Sequence, residues 1–133
     1  ALVGREISVG VLKWKKEIKV LPITEIISEN DFFDYEAKYE GKSKEITPAQ
    51  LPEAWTEAVV TLSKKIYQKM GLEGVTRSEF IFENGIPHLL EVNTIPGMTL
   101  QSLIPQQLEA DGISLLEFLE ELIGEALRKK EYL

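Results

Sequence analysis

The stretch VTRSEFIFENGIPHLLEVNTIPGMTLQSL, residues 75–103, reads as a strand, a tight turn, a second strand, a Gly/Pro loop and the head of a helix. Polar residues recur among apolar ones with period two, the strand period. Arg77 and Glu79 fall on one face of the first strand, Glu91 and Asn93 on one face of the second. Their neighbours Phe80, Phe82, Leu90 and Val92 are expected to point the other way, into a core. A cation, two carboxylates and an amide set between apolar strands are costly to cover unless something pairs with them. Oxygen donors of this kind suit Mg²⁺, commonly held by one or two carboxylates together with substrate phosphates. The plainer alternative is a solvated sheet face on which Arg77 pairs with Glu79 or Glu91.

Whether the four residues share one face depends on the turn. Asn84-Gly85 is a strong signal for a two-residue hairpin turn. That turn pairs Glu83 with Ile86 and Glu79 with Leu90, which sends Glu79 and Glu91 to opposite faces. A three-residue loop, 83–85, with Gly85 left-handed, pairs Phe82 with Ile86, Glu79 with Leu89 and Arg77 with Glu91. All four polar residues then lie together. The chemistry of a shared site therefore chooses the longer loop over the stronger local Asn-Gly signal; Glu83 paired with Ile86, and no bulge elsewhere to restore the faces, would break the site.

The rest of the chain fits one globular unit. With 133 residues, 44% of them hydrophobic, it can bury a real core. The net charge of −7 and the scattered Lys and Arg leave no basic stripe for nucleic acid. There is no cysteine, so neither a disulfide framework nor thiol chemistry is available, which is compatible with the cytoplasm. No apolar run approaches a membrane span, and the opening ALVGRE is no signal peptide. Ile7, Val9 and Val11 alternate with small residues as a strand does, and 13–16 suits a turn. Residues 17–27 read as one or two strands with Pro22 at an edge or bend. Together these open the chain with an antiparallel meander.

Residues 28–44 have no apolar period but hold Phe32, Phe33, Tyr35 and Tyr39, as a long functional loop would. A helix is expected over 52–70, with Trp55, Ala58, Val59, Leu62, Ile66 and Met70 as its buried stripe and Gly71 as a left-handed cap. Another helix is expected over 102–110, stopping at Asp111-Gly112. The last starts at Ser114 with Glu117 as a capping box and Ile113 with Phe118 as a staple. Its buried stripe reads as Leu115, Leu119, Leu122, Ile123, Ala126 and Leu127. His88, the single histidine, falls by strand alternation on the face opposite Glu91 and has no partner for metal binding.

Glu91-Val92-Asn93-Thr94-Ile95-Pro96-Gly97-Met98-Thr99, followed by Ser102-Leu103 at a helix head, resembles the signature of the D-alanine–D-alanine ligases of the ATP-grasp superfamily. FFDYEAKY, residues 32–39, is similar to that family's mobile loop, and the resemblance covers nearly the whole chain. It implies an α+β fold, a largely antiparallel sheet with helices packed on one side. Residues 1–133 would form a single C-terminal ATP-grasp domain of a longer ligase whose N-terminal and central domains lie outside the chain. It also implies ATP-dependent joining of two D-alanines through an acylphosphate, for peptidoglycan precursors.

Site roles follow residue by residue from the resemblance. Glu79, Glu91 and Asn93 would hold two Mg²⁺ ions, or Mn²⁺ in their place, with Glu91 bridging. The family usually carries Asp where this chain has Glu79. Arg77 and the Gly97 N–H would stabilise the tetrahedral intermediate. Ser102 and Leu103 would hold the carboxylate of the second substrate at a helix N-terminus. Lys38 would contact the transferred phosphate, Tyr39 would close over the substrates, and Glu6 would bind the ATP ribose. Expected partners are D-alanine and ATP, with neither nucleic acid nor membrane, and a homodimer of the parent protein is left open. Another acceptor such as D-lactate, or a non-catalytic nucleotide-binding domain, are the alternatives.

Overall fold

The computed structural model describes residues 3–27 and 44–130. Its central element is strand β1, Arg5–Trp14. Both faces of β1 are covered, since Ile7, Val9 and Val11 on one and Leu12 on the other are all fully buried. The chain turns at Lys15-Lys16 into β2, Glu17–Val20, and bends past Pro22 into β3, Thr24–Ile27. Both strands lie antiparallel along the same edge of β1, β3 beside Glu6–Ser8 and β2 beside Val11–Trp14. A three-residue strand, β4 (Lys44–Ile46), extends the sheet beyond β3. Helix α1, Glu53–Lys69, precedes the hairpin β5 (Thr76–Glu83) and β6 (Ile86–Asn93). Helices α2, Leu103–Ala110, and α3, Leu115–Lys130, follow. The sheet order is β4-β3-β1-β5-β6, with every pairing antiparallel.

The α+β class and the antiparallel sheet agree with the sequence reading, but the helices do not keep to one side. Ile7, Val9, Phe80 and Phe82 form a core with Val59, Trp55, Leu62 and Ile66 of α1. Leu12 and Leu21 form a second core with Ile104 and Leu108 of α2 and Phe118 of α3. Alternation along β1 puts Ile7 and Val9 on one face and Gly10 and Leu12 on the other. So α1 covers one face, and α2 with α3 covers the opposite one.

Within α1 the buried line is Val59, Ser63 and Tyr67, while Ala58 and Met70 of the expected stripe are exposed. Trp55 stacks on Phe82 with ring centroids 4.5 Å apart. Gly71 takes φ +62°, and the Gly71 and Leu72 N–H groups donate to the Gln68 and Tyr67 carbonyls at 3.1 and 3.0 Å. This is the Schellman cap that Gly71 led us to expect. In α3 the Glu117 N–H donates to Ser114 Oγ at 3.1 Å, one half of the capping box. Its expected stripe is largely wrong: Leu115, Leu119, Ile123 and Leu127 are 42–60% exposed, and Phe118 and Leu122 face the core. The helix carries two apolar lines at four-residue spacing, and docking on the sheet selects the shorter one.

The sequence reading also missed a bidentate ion pair. Arg5 donates through Nε and an Nη to the two oxygens of Glu25 at 2.6 and 2.9 Å, and Glu25 is nearly buried. It ties the start of β1 to β3 on the sheet's outer half.

Lys15 and Lys16 both adopt positive φ, +50° and +71°. A two-residue hairpin turn with both residues left-handed favours Asn-Gly, because a Cβ is strained there. Replacing Lys15-Lys16 by Asn-Gly is expected to stabilise the protein by about 1 kcal/mol. Urea unfolding checks this, and an unchanged or lower midpoint would contradict it.

Candidate functional site

The hairpin forms by the shorter turn. Asn84 and Gly85 both take positive φ, and Glu83 pairs with Ile86 and Phe82 with Pro87. The three-residue loop, and with it the pairings Glu79–Leu89 and Arg77–Glu91, is therefore not formed. The two-residue turn matches the right-handed strand twist, and the local Asn-Gly signal prevails. The faces are restored further along. Phe80 pairs with Leu89, but the register then shifts, so Glu79 pairs with Glu91 and Arg77 with Asn93. Leu90 is the extra residue of a β-bulge, 46% exposed rather than in the core. Residues directly opposite share a face, so Arg77, Glu79, Glu91 and Asn93 lie together. The same bulge places His88, opposite Ile81, on this face and not on the one alternation predicts.

The face continues across β5 onto β1. Gly10 lies opposite Arg77, Ser8 opposite Glu79 and Glu6 opposite Ile81. An Nη of Arg77 donates to Glu79 Oε1 at 3.0 Å, and both side chains are less than one-fifth exposed. The ion pair of the plainer reading therefore exists, yet it does not satisfy the face. Arg77 Nε and Ser8 Oγ are buried and without a hydrogen-bond partner. Burial pushes the Glu79 carboxyl above its ordinary pKa; Arg77 opposes the shift, and Glu91 and Glu6 add to it. A carboxylate held among other carboxylates in partial burial is a place where a cation gains most. The donor set of two carboxylates and an amide oxygen fits a hard divalent ion. Among the described residues no three of His, Cys, Asp and Glu are placed to hold a metal, so Asn93 is needed to complete the set. Asn93 Oδ1 already accepts the Ile95 N–H at 2.9 Å, which aims it and leaves one lone pair.

This shift has a testable sign. In metal-free protein the folded state binds the Glu79 proton more tightly than the unfolded state. The resulting stability is fully present below the ordinary glutamate pKa and lost as pH rises through the raised value. Relative to Glu79→Gln, the wild type is expected to lose stability as pH rises from the ordinary glutamate range through the raised value. Urea unfolding in chelator measures it, and a constant difference between the two proteins would contradict the assignment.

Past Asn93 the chain folds on itself. The Thr99 N–H donates to Ser102 Oγ at 3.1 Å, the Thr99 and Ser102 hydroxyls lie 2.7 Å apart, and the Ser102 N–H donates to the Thr99 carbonyl at 2.9 Å. Ser102 is the N-cap of α2 but makes no side-chain cap bond, so the first N–H groups of α2 are not taken by it. Leu103 is buried and can offer only its backbone N–H. A Cβ on Gly97 would approach Ser102 Oγ to 3.0 Å, so glycine there leaves the hydroxyl and the backbone close together. Lys38 and Tyr39, with the rest of the 32–39 loop, lie outside the described residues, as do Ala1 and Leu2.

One side chain that sequence reading passed over anchors α2. Gln107 is fully buried and bonded to β1 and β3. The signal was a glutamine on the apolar line of a short helix, between Ile104 and Leu108.

Residues 1–124 match the family model described as the D-ala D-ala ligase C-terminus. The chain belongs to that family. The D-alanine–D-alanine ligase of Flavobacterium johnsoniae is 60% identical over 112 residues, 84% of this chain and 35% of that protein. The ligase of Christiangramia forsetii is 50% identical over 127 residues, 96% of this chain and 39% of its own. Among solved structures, D-alanine–D-alanine ligase from Bacillus anthracis complexed with ATP superimposes with a TM-score of 0.82 at 28% identity, over 99% of this chain and 41% of that one. The VanG D-Ala:D-Ser ligase from Enterococcus faecalis gives 0.75 at 30% identity, over 93% of this chain and 36% of its own. This ligase C-terminal chain thus spans well under half the length of each of these relatives. No described helix is long and apolar enough to cross a membrane.

Proposed function

We propose that the full-length protein containing this chain is an ATP-dependent, ADP-forming D-alanine–D-alanine ligase that makes D-alanyl-D-alanine for peptidoglycan precursors in the cytoplasm. The observation that carries the reading is the bulge at Leu90, which sets Glu79 against Glu91 and Arg77 against Asn93 on one face. In this reading Glu79, Glu91 and Asn93 would hold two Mg²⁺ ions, or Mn²⁺ in their place. The ions supply neutralising charge for the phosphates of ATP. Residues 1–133 form one ATP-grasp C-terminal domain, and the other domains of the ligase complete the nucleotide and first-substrate sites. A homodimer of the parent is compatible with this arrangement.

The chain's own groups divide the remaining work. Glu6, on the same face, binds the ribose. ATP's γ-phosphoryl group passes to the carboxylate of the first D-alanine, giving an acylphosphate and ADP. The amine of the second D-alanine attacks that carbonyl, and phosphate leaves as the amide forms. Negative charge develops on the carbonyl oxygen during the attack, and the guanidinium of Arg77 and the Gly97 N–H stabilise it there. The acceptor's carboxylate rests on Ser102 Oγ and the Leu103 N–H, at the positive end of α2. Lys38 would contact the transferred phosphate and Tyr39 would close over the substrates, both outside the described residues.

Phosphate release by the full-length protein tests the reading, with D-alanine, D-serine and D-lactate compared as acceptors. We expect D-alanine alone to support turnover and dipeptide to accumulate. Preference for D-serine or D-lactate would move the acceptor assignment, and no acceptor-dependent release would favour a non-catalytic nucleotide-binding domain. Residues 1–133 alone are expected to be inactive, and measurable dipeptide synthesis by them would contradict the domain assignment.

A further inference from the structure

Strand β1 changes partner midway. It pairs with β3 along Glu6–Ser8 and with β2 along Val11–Trp14, so the ladder is interrupted around Val9 and Gly10. The backbone groups facing that gap need partners, because buried N–H and C=O groups are almost always satisfied. The Leu21 N–H donates to the Gly10 carbonyl at 2.9 Å, and Gln107 of α2 supplies partners for the Gly10 N–H and the Ser8 carbonyl. Its Oε1 accepts the Gly10 N–H at 2.8 Å, and its Nε2 donates to the Ser8 carbonyl and to Thr24 Oγ1, both at 3.0 Å. The amide of one helix residue thus stands in for a missing piece of strand. The fit is close: a Cβ on Gly10 would lie 2.9 Å from Gln107 Oε1 and 2.6 Å from Ile104 Cδ1.

The two β1 residues that receive Gln107 are the cross-strand neighbours of the site. Ser8 is opposite Glu79 and Gly10 is opposite Arg77. Gln107 is five residues from Ser102, roughly 7.5 Å along the helix axis at 1.5 Å per residue. One short rigid helix therefore joins the gap in β1 to the acceptor site.

We propose that Gln107 is a positioning residue for the acceptor. By filling the gap in β1 it fixes α2, and so fixes Ser102 and the Leu103 N–H relative to Arg77 and Glu79. The inference rests on the reading of the α2 start as the acceptor carboxylate site. Attack on the acylphosphate requires the amine at near-attack distance, and a misplacement of about 1 Å can cost about 10²-fold. ATP does not depend on α2 in this account.

The test is steady-state kinetics of the full-length ligase, varying ATP and D-alanine separately. Gln107→Met keeps the length and removes all three hydrogen bonds. Its KM for the acceptor is expected to rise about 10-fold or more, with the KM for ATP within about twofold. Gln107→Glu in that buried slot retains an acceptor and, when protonated, a donor. Compared with Gln107→Met it is expected to recover acceptor affinity at pH 6 and to lose it again at pH 8, where the wild type does not. A folded Gln107→Met with unchanged acceptor KM, or with both KM values raised equally, would overturn the proposal. If Gln107→Met does not fold, Gln107→Glu decides, and an acceptor KM that follows the wild type at every pH would overturn it. Ser102→Ala separates the two claims. If it raises the acceptor KM while the Gln107 variants do not, only the Gln107 role fails. If Ser102→Ala has no effect, the acceptor reading fails and the Gln107 role with it.

Discussion

Replacing Glu91 with glutamine is expected to lower turnover of the full-length ligase about 10³-fold with its fold intact, the equivalent of about 4 kcal/mol of transition-state stabilisation. Glu91 is exposed at the edge strand and sits directly opposite Glu79. No ion pair holds it among the described contacts, so its charge contributes little to packing. The same position makes it the carboxylate best able to face ligands from the open side. Glutamine preserves shape and removes the negative charge, so any loss should appear in metal and nucleotide dependence. Unfolding midpoints should agree within about 0.5 kcal/mol. Turnover near wild type at ordinary Mg²⁺ would contradict the assignment.

The second large effect is expected at Arg77. Arg77→Lys keeps a positive charge beside Glu79 but loses the planar fork. In the folded protein one Nη of Arg77 is spent on Glu79, while Nε is buried without a partner. A donor held dry and unused is what a developing oxyanion requires. Loss of one such donor costs about 10²–10³ in kcat, and Arg77→Lys is expected to fall in that range with the KM for ATP little changed. Equal losses in kcat/KM and in thermal stability would instead mark Arg77 as structural.

What was legible from sequence was the set of local signals, and what was not was the path of the backbone. The four polar residues, the loop from Asn93 to Ser102 and the caps at Gly71 and Ser114 were readable because each is a local signal. The hairpin was half-read. Requiring one shared face led to a three-residue loop, whereas the chain keeps the Asn-Gly turn and inserts Leu90. A bulge has no sequence signature of comparable strength, since it costs one unpaired residue and can fall at several places. The stripe of α3 failed for another reason. Period shows that a helix is amphipathic, but with two apolar lines only docking decides which is covered. Gln107 and the Arg5–Glu25 pair were invisible because their partners lie 83–99 and 20 residues away.

In the proposed ligase the bulged hairpin presents one metal-binding face. A crystal structure of the full-length ligase with ADP and Mn²⁺, in which the anomalous signal locates the ions, tests it most directly. Mn²⁺ is expected at Glu79, Glu91 and Asn93, with Leu90 still unpaired. Ions bound away from these residues, or Glu79 and Glu91 on opposite faces of the hairpin, would contradict it.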